Sequence, residues 1–176
     1  MRYAQVRSMD ISNGEGIGVS LFTQGCSIRC KGCHNSSIWD FDGGKEYNSG
    51  TANKILEAIQ PNWIERFSIL GGEPLITQNL KELLDLIIKI KLFKPKIKVW
   101  IYTGFTYEQL QKRIQDNPND YYINPILKFS DVLVDGQFIQ EKKDLTLRFK
   151  GSSNQRIINL RETDVQNKII LLDIQN

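Results

Sequence analysis

All three cysteines of the chain and its only histidine fall in one short loop, GCSIRCKGCHN, Gly25 to Asn35. Three thiols so close together, with no fourth anywhere in the sequence, suit a metal centre. Fully extended, the seven steps from Cys26 to Cys33 would span about 24 Å, so thiols that share one centre require the loop to curl back on itself. Gly25 and Gly32 permit that curl. A structural zinc wants four ligands, and His34 would complete the set only if it and the adjacent Cys33 both turned toward one ion. A four-iron cube held by three thiolates keeps its fourth iron open, and an open iron is a place for a substrate. Buried, inert thiols are the third reading.

The rest of the composition sets the frame for that loop. The 176 residues fit one domain, 1–176, and 40% hydrophobic with 24% charged residues supports a buried core. The formal charge of +3 is small and the lysines are spread along the chain, so no basic stripe points to nucleic acid. MRYAQVRSMD lacks the apolar core of a signal peptide, and LLDLIIKIKLF is broken by Asp85, Lys89 and Lys91. These features predict a cytoplasmic protein without membrane contact. An odd number of cysteines crowded into one loop makes no disulfide framework; in a reducing compartment it points to metal or redox chemistry.

The elements that must position the loop follow from hydrophobic periodicity. IGVSLFT (Ile17 to Thr23) is predicted as the first strand, and it runs straight into the cysteine loop. TANKILEAIQ, 51 to 60, is predicted helical, and RFSIL (Arg66 to Leu70) is a strand running into GGEP. Thr77 is expected to cap a long helix with Leu80, Leu83, Leu84, Ile87 and Ile88 on one face. KVWIY (Lys98 to Tyr102) is the next strand, and Thr106 is expected to cap the helix YEQLQKRI. QDNPNDYYINP reads as turns, DVLVDG (Asp131 to Gly136) as a strand, and RIINL and KIILLDI as two more. Alternating strands and helices imply an α/β fold with a parallel sheet of right-handed units. A closed eight-stranded barrel takes roughly 250 residues, so this chain completes only part of one. The cysteine loop, GGEP, YTG and VDG all fall at strand ends, where such sheets collect chemistry.

The spacing CSIRCKGC, followed one βα unit later by GGEP at Gly71 to Pro74, resembles the radical S-adenosylmethionine (radical SAM) superfamily. Within it, Cys33-His34-Asn35 followed by Trp39 is similar to the activating enzymes of glycyl-radical enzymes. The finer resemblance is to activating proteins of the anaerobic, class III ribonucleoside-triphosphate reductase. It rests on DISNGEG (Asp10 to Gly16), GCSIRCKGCHN, GGEPL, WIYTGF (Trp100 to Phe105), DVLVDGQF (Asp131 to Phe138) and GSSNQR (Gly151 to Arg156). These run in order along nearly the whole chain. The superfamily usually carries an aromatic residue immediately before the third cysteine, where this chain has Gly32; Tyr102 and Phe22 are its candidate substitutes at the adenine.

The resemblance implies an incomplete (β/α) TIM-like barrel of the radical SAM type and an oxidoreductase with one 4Fe-4S cluster and S-adenosyl-L-methionine. Cys26, Cys30 and Cys33 would be the cluster ligands. Gly71, Gly72 and Glu73 would meet the methionine moiety, Asn35 would bond the cofactor near the cluster, and Tyr102, Thr103 and Gly104 would line the adenosine side. A flavodoxin-like reductant would supply an electron, the cofactor would be cleaved to a 5′-deoxyadenosyl radical, and that radical would take hydrogen from a glycine in the C-terminal region of the reductase. No side chain beyond cluster and cofactor is assigned as catalytic, and His34 is no base because the chemistry is homolytic. Asp135, Gly136 and the run Ser152 to Arg156 are candidates for cofactor or partner contact, and Asn13 to Gly16 form a glycine-rich turn. Other glycyl-radical enzymes, such as pyruvate formate-lyase, are the alternative partner, and a zinc-binding interaction module is the alternative of a different class.

Overall fold

In a computed structural model, which describes residues 1–174, the β-rich runs become a sheet and the 3.6-periodic runs pack on it. The strands are β1 Arg2–Asp10, β2 Gly18–Thr23, β3 Lys45–Glu46, β4 Arg66–Gly71, β5 Lys98–Tyr102, β6 Val132–Asp135 and β7 Arg156–Asn159. The helices are α1 Ser49–Ile59, α2 Leu80–Phe93, α3 Tyr107–Asp116, α4 Ile123–Phe129 and α5 Leu160–Gln166. Among the described residues the fold is therefore mixed α/β, with one seven-stranded sheet in the order β3-β1-β2-β4-β5-β6-β7. The centre, β2, β4, β5 and β6, is parallel, whereas β1, β3 and β7 join antiparallel. No described helix is long and apolar enough to cross a membrane.

The parallel strands are covered on both faces, which is why they read as nearly continuous apolar runs. All six residues of β2 are buried. Val19, Leu21, Phe67, Ile69, Val99 and Ile101 point to the helices, where Ile55, Ile59, Leu83, Ile87 and Ile90 meet them in the main core. The alternate residues Ser20, Arg66, Ser68 and Trp100 face the other side, and they are buried too.

Arg66 is fully buried there. Its Nε donates to the Glu15 carbonyl at 3.1 Å, Nη1 to Asn13 O at 2.7 Å and to Ser68 Oγ, and Nη2 to Asp10 O at 2.7 Å. The Asp10 carboxylate stands 3.7 Å away. The DISNGEG turn is thus a wrapper for a buried guanidinium, at the end of the sheet opposite the cysteines. Removing Arg66 takes a donor from three carbonyls and its paired cation from the buried Asp10, whose carboxylate keeps the neutral N–H groups of Ser12 and Asn13. Arg66→Ala should cost about 3–5 kcal/mol of stability in urea unfolding, because breaking a buried pair leaves the partner charge uncompensated; a loss below about 1 kcal/mol would contradict this.

Local signals explain several departures from expectation. Thr106 caps α3 as read, in a capping box with Gln109. Thr77 does not cap α2: it opens a 3₁₀ turn, Thr77–Asn79, and its hydroxyl donates to Asp120 Oδ1 at 2.6 Å. The buried stripe of α2 is Leu80, Leu83, Leu86, Ile87 and Ile90, with Leu84 and Ile88 only half-buried. The polar QDNPNDYYINP contains the start of α4, whose Pro125 sits in the first turn, where its missing N–H costs nothing. KIILLDI forms no closing strand: Leu171 makes one isolated bridge to Ile158, and α5 occupies the space before it.

Candidate functional site

Four strand ends open onto one cleft of about 150 Å³. The loop after β2 contributes Cys26, Cys30, Cys33 and Asn35, the end of β4 contributes Gly71, Gly72 and Glu73, and β5 contributes Tyr102, Thr103 and Gly104. The three cysteines, Asn35, Gly71 to Glu73 and Tyr102 to Gly104, expected to hold cluster and cofactor, thus lie on this one surface. A roomier hollow of about 620 Å³ between α3 and α5 carries no thiol and none of these turns, so the chemistry belongs to the smaller cleft.

The cysteine loop returns on itself because Gly25 N donates to Ile38 O at 2.9 Å and Cys26 N to Trp39 O at 3.1 Å. All three cysteines are free of disulfides, with Cys26 buried and the other two half-buried. Cys33 acts electrostatically on both other thiols, so the three share one neighbourhood. Burial pushes the thiols of Cys26 and Cys30 up, and backbone N–H groups of Arg29 and Ile28 on Cys26, and of Phe138 on Cys30, only partly pull them back. Such N–H groups would serve the thiolate ligands of a cluster.

His34 is exposed and stays off the cleft, so the fourth ligand a zinc reading needs is not supplied by it. Three thiols on one loop with His34 turned away suit a four-iron cube held at three corners better than a four-coordinate zinc. The donor set fits the cube. Gly32 also finds its reason. Its φ is +72°, and a Cβ there would come within 2.9 Å of Gln140 Oε1, so the place of the usual aromatic is a left-handed turn packed against a neighbouring loop.

GGEP is the seam between the cysteine loop and the sheet. Gly72 N donates to Thr23 O at 2.9 Å and Glu73 N to Gly25 O at 2.8 Å. Asn35 spans the same seam: its N–H reaches Cys33 Sγ at 3.4 Å and its Nδ2 reaches Gly71 O at 3.5 Å. Glu73 is 1% exposed, and its carboxylate is fully engaged. Oε1 accepts from Leu75 N at 2.9 Å and Thr103 Oγ1 at 2.7 Å, while Oε2 accepts from Gly104 N at 2.7 Å. Burial nevertheless holds its pKa above the usual carboxylate range. These bonds tie GGEP to YTG. In Glu73→Gln one amide face must meet the N–H of Leu75 or Gly104, although the cost of burying a charge is relieved. Stability should therefore move by less than about 1 kcal/mol while the YTG turn shifts. Loss of hydrogen-exchange protection at Gly104 checks this, and unchanged protection would contradict it.

Tyr102 reaches from the cleft into the interior, where its buried hydroxyl has no hydrogen-bond partner and feels the charges of Arg66 and Asp10. Phe22 lies under Arg7, 4.5 Å from the guanidinium, and does not line the cleft.

GSSNQR braces the loop after β6. Gln155 Oε1 accepts from Gly151 N at 2.8 Å and Ser152 N at 3.2 Å, and its Nε2 donates to Gly136 O at 2.9 Å. Ser152 Oγ accepts from Ile139 N at 3.2 Å, and Asn154 Nδ2 donates to Gln137 O at 2.8 Å. The segment so held carries Phe138, whose N–H bonds Cys30. Of that run only Gln155 lines the cleft, along with Gly136. Arg156 instead pairs with the buried Asp135 through Nε at 2.9 Å and with Glu108 through Nη1 at 2.9 Å and Nη2 at 2.7 Å. The bond from Arg156 holds the Glu108 carboxyl down to about 2, against an ordinary 4.5. A depressed carboxyl contributes its stability above the ordinary value and loses it as pH falls toward the folded one. The urea midpoint should therefore drop between about pH 4.5 and 2, and Glu108→Gln should flatten that drop; an unaltered slope in the variant would refute the assignment.

Gln155, from the run named as a candidate, lines the cleft, and so do Trp39, Phe138 and Ile28, which the motif reading assigned no part in it. Trp39 and Phe138 had a sequence signal, the place after CHN and the end of DVLVDGQF; Ile28 had none beyond lying between the cysteines.

The parallel strand ends bring three free thiols to one cleft, the donor type that iron–sulfur proteins use. The family model described as a 4Fe-4S single cluster domain matches residues 12–158, so a domain of that kind is present. Relatives are alike over nearly their whole length. The anaerobic ribonucleoside-triphosphate reductase-activating protein of Vibrio cholerae serotype O1 is 36% identical over 159 residues, 89% of this chain and 97% of the relative. The protein of the same name from Escherichia coli K12 is 33% identical over 163 residues, 92% and 100% respectively. That of Enterobacteria phage T4 is 30% identical over 159 residues, 89% and 93%. The chain belongs to the family of anaerobic ribonucleoside-triphosphate reductase-activating proteins.

Proposed function

We propose that this chain is a radical SAM activating enzyme, an oxidoreductase that installs a glycyl radical on anaerobic ribonucleoside-triphosphate reductase. The reading rests above all on one observation: three free thiols, GGEP and YTG converge on a single cleft at the ends of parallel strands. The names of the relatives supply the partner. In this reading residues 1–176 are a single domain, and the sheet whose order ends at β3 and β7 is an incomplete (β/α) barrel of the radical SAM type.

Cys26, Cys30 and Cys33 hold the 4Fe-4S cluster, and the fourth iron is left for S-adenosyl-L-methionine. When bound, the two together supply reductive cleavage to a 5′-deoxyadenosyl radical able to abstract hydrogen from a backbone glycine. The chain's own residues bind and orient. Gly71, Gly72 and Asn35 present peptide and amide groups to the methionine end. Tyr102, Thr103 and Gly104 line the adenosine side, and Glu73 keeps that turn in place through its bonds to Thr103 and Gly104. Leu70, Ile28, Val134 and Phe138 give the cleft apolar walls that exclude water from a reactive carbon radical. The partner offers the glycine-bearing C-terminal region of the reductase, a flavodoxin-like protein delivers the electron, and the setting is the cytoplasm.

After anaerobic reconstitution with iron, sulfide and zinc all offered, the chain should hold iron and acid-labile sulfide at about four each and, once reduced, convert S-adenosylmethionine to methionine and 5′-deoxyadenosine. Stoichiometric zinc without sulfide would replace this reading with a zinc-binding module.

A further inference from the structure

A buried donor with nothing to bond demands an explanation, because native interiors satisfy nearly all such groups. Two residues that line the cleft carry one, and the Tyr102 hydroxyl is turned into the interior toward Arg66 and Asp10, which leaves Trp39. The indole Nε1 of Trp39 is buried and has no partner, although Trp39 lines the cleft. The other two tryptophans offer no parallel: Trp63 is half exposed at 49% and Trp100 packs with Val132, Val134 and Ile157.

The surroundings indicate what it serves. Trp39 is tied by main chain to the cysteine side of the cleft, where Cys26 N donates to its carbonyl at 3.1 Å. The turns proposed to meet the cofactor follow β4 and β5, whereas Trp39 belongs to the segment after β2 that carries the thiols. A donor shut away from solvent suits a resident group rather than one that exchanges at every turnover. A sulfur of this loop already attracts an N–H group, that of Asn35 reaching Cys33 Sγ at 3.4 Å. From this geometry we infer that Trp39 is a positioning residue whose indole N–H donates to a sulfur of the 4Fe-4S cluster and helps set its reduction potential. The inference rests on the proposed assignment of Cys26, Cys30 and Cys33 as cluster ligands.

Hydrogen bonds to cluster sulfurs favour the reduced, more negative state and so raise the potential. Trp39→Phe keeps an aromatic ring and deletes the donor. In redox titrations of the reconstituted full chain, followed by electron paramagnetic resonance without S-adenosylmethionine, the variant should show about a tenfold less favourable one-electron reduction, a shift of about 59 mV to lower potential. Trp63→Phe should leave the potential unchanged. An independent measurement on the wild-type chain avoids dependence on how well the variant loads. With tryptophan labelled by ¹⁵N at the indole nitrogen, electron–nuclear double resonance of the reduced cluster should show a coupled nitrogen. A wild-type potential in Trp39→Phe, or no ¹⁵N coupling, overturns the inference while leaving the proposed function standing. An unchanged potential with weakened S-adenosylmethionine binding also overturns it, by assigning the donor to the cofactor. A wild-type chain that holds no 4Fe-4S cluster removes both.

Discussion

In Cys30→Ser, cleavage of S-adenosylmethionine is expected to fall to the level of protein without a cluster. Cys30 is a half-buried thiol that lines the cleft together with Cys26 and Cys33. Serine offers a hard oxygen where iron–sulfur chemistry uses soft thiolate. With three thiols in the whole chain, no other cysteine can take the vacant place. Iron and sulfide content should drop together with 5′-deoxyadenosine release, while the fold of the empty protein stays near wild type because Cys30 is only half-buried. Retained cleavage would remove Cys30 from the ligand set.

A single methyl group should do comparable damage at Gly72. A Cβ at that position would collide with the carbonyl oxygen of Gly25, a backbone atom with no side-chain freedom to yield. The collision falls on the seam where Glu73 N donates to Gly25 O, one residue before the first ligand cysteine. Overpacking a tight site costs about 1–3 kcal/mol, and a backbone obstacle places Gly72→Ala at the upper end. The cysteine loop must then move away from GGEP, so cluster and cofactor can no longer share one geometry. The variant should fold with a lowered urea midpoint, load cluster poorly and bind S-adenosylmethionine at least about tenfold more weakly, since 1.4 kcal/mol is a factor of ten. Wild-type affinity would show that the two turns do not need this close approach.

These two variants depend on features of different legibility. The parallel strands were readable almost to the residue, because buried central strands leave dense apolar runs such as RFSIL and KVWIY. β1 was not: RYAQVRSMD lies near the edge of the sheet and is mostly half-buried or exposed, so its polar residues mask the pairing. α4 was hidden behind Pro125 and a run of turn formers, and KIILLDI looked like a strand because apolar content alone cannot tell pairing from packing. Thr77 had the right residue type for a cap, but Asp120, 43 positions away in sequence, claims its hydroxyl.

At the site, the three cysteines, Asn35, GGEP and YTG were legible through motif order, and they lie on one cleft, whereas Phe22 and most of Ser152 to Arg156 do not. What the sequence could not carry is how they hold one another. Glu73 spends its carboxylate on the YTG turn, a contact across 30 residues. Phe138 acts on Cys30 through a backbone N–H, which any residue type would supply. GSSNQR reads as a polar surface turn, yet its side chains brace that same segment. Trp39 had a position but no chemistry until its buried, unpartnered nitrogen was found on a residue that lines the same cleft as the thiols.

Hydrogen is expected to leave a glycine of the reductase by way of this cleft. Anaerobic ribonucleoside-triphosphate reductase labelled with deuterium at its glycine α-carbons, mixed with this chain, reductant and S-adenosylmethionine, should then show a glycyl radical in its electron paramagnetic resonance spectrum, with deuterium in the 5′-deoxyadenosine released. Unlabelled 5′-deoxyadenosine with no radical on the reductase would contradict it.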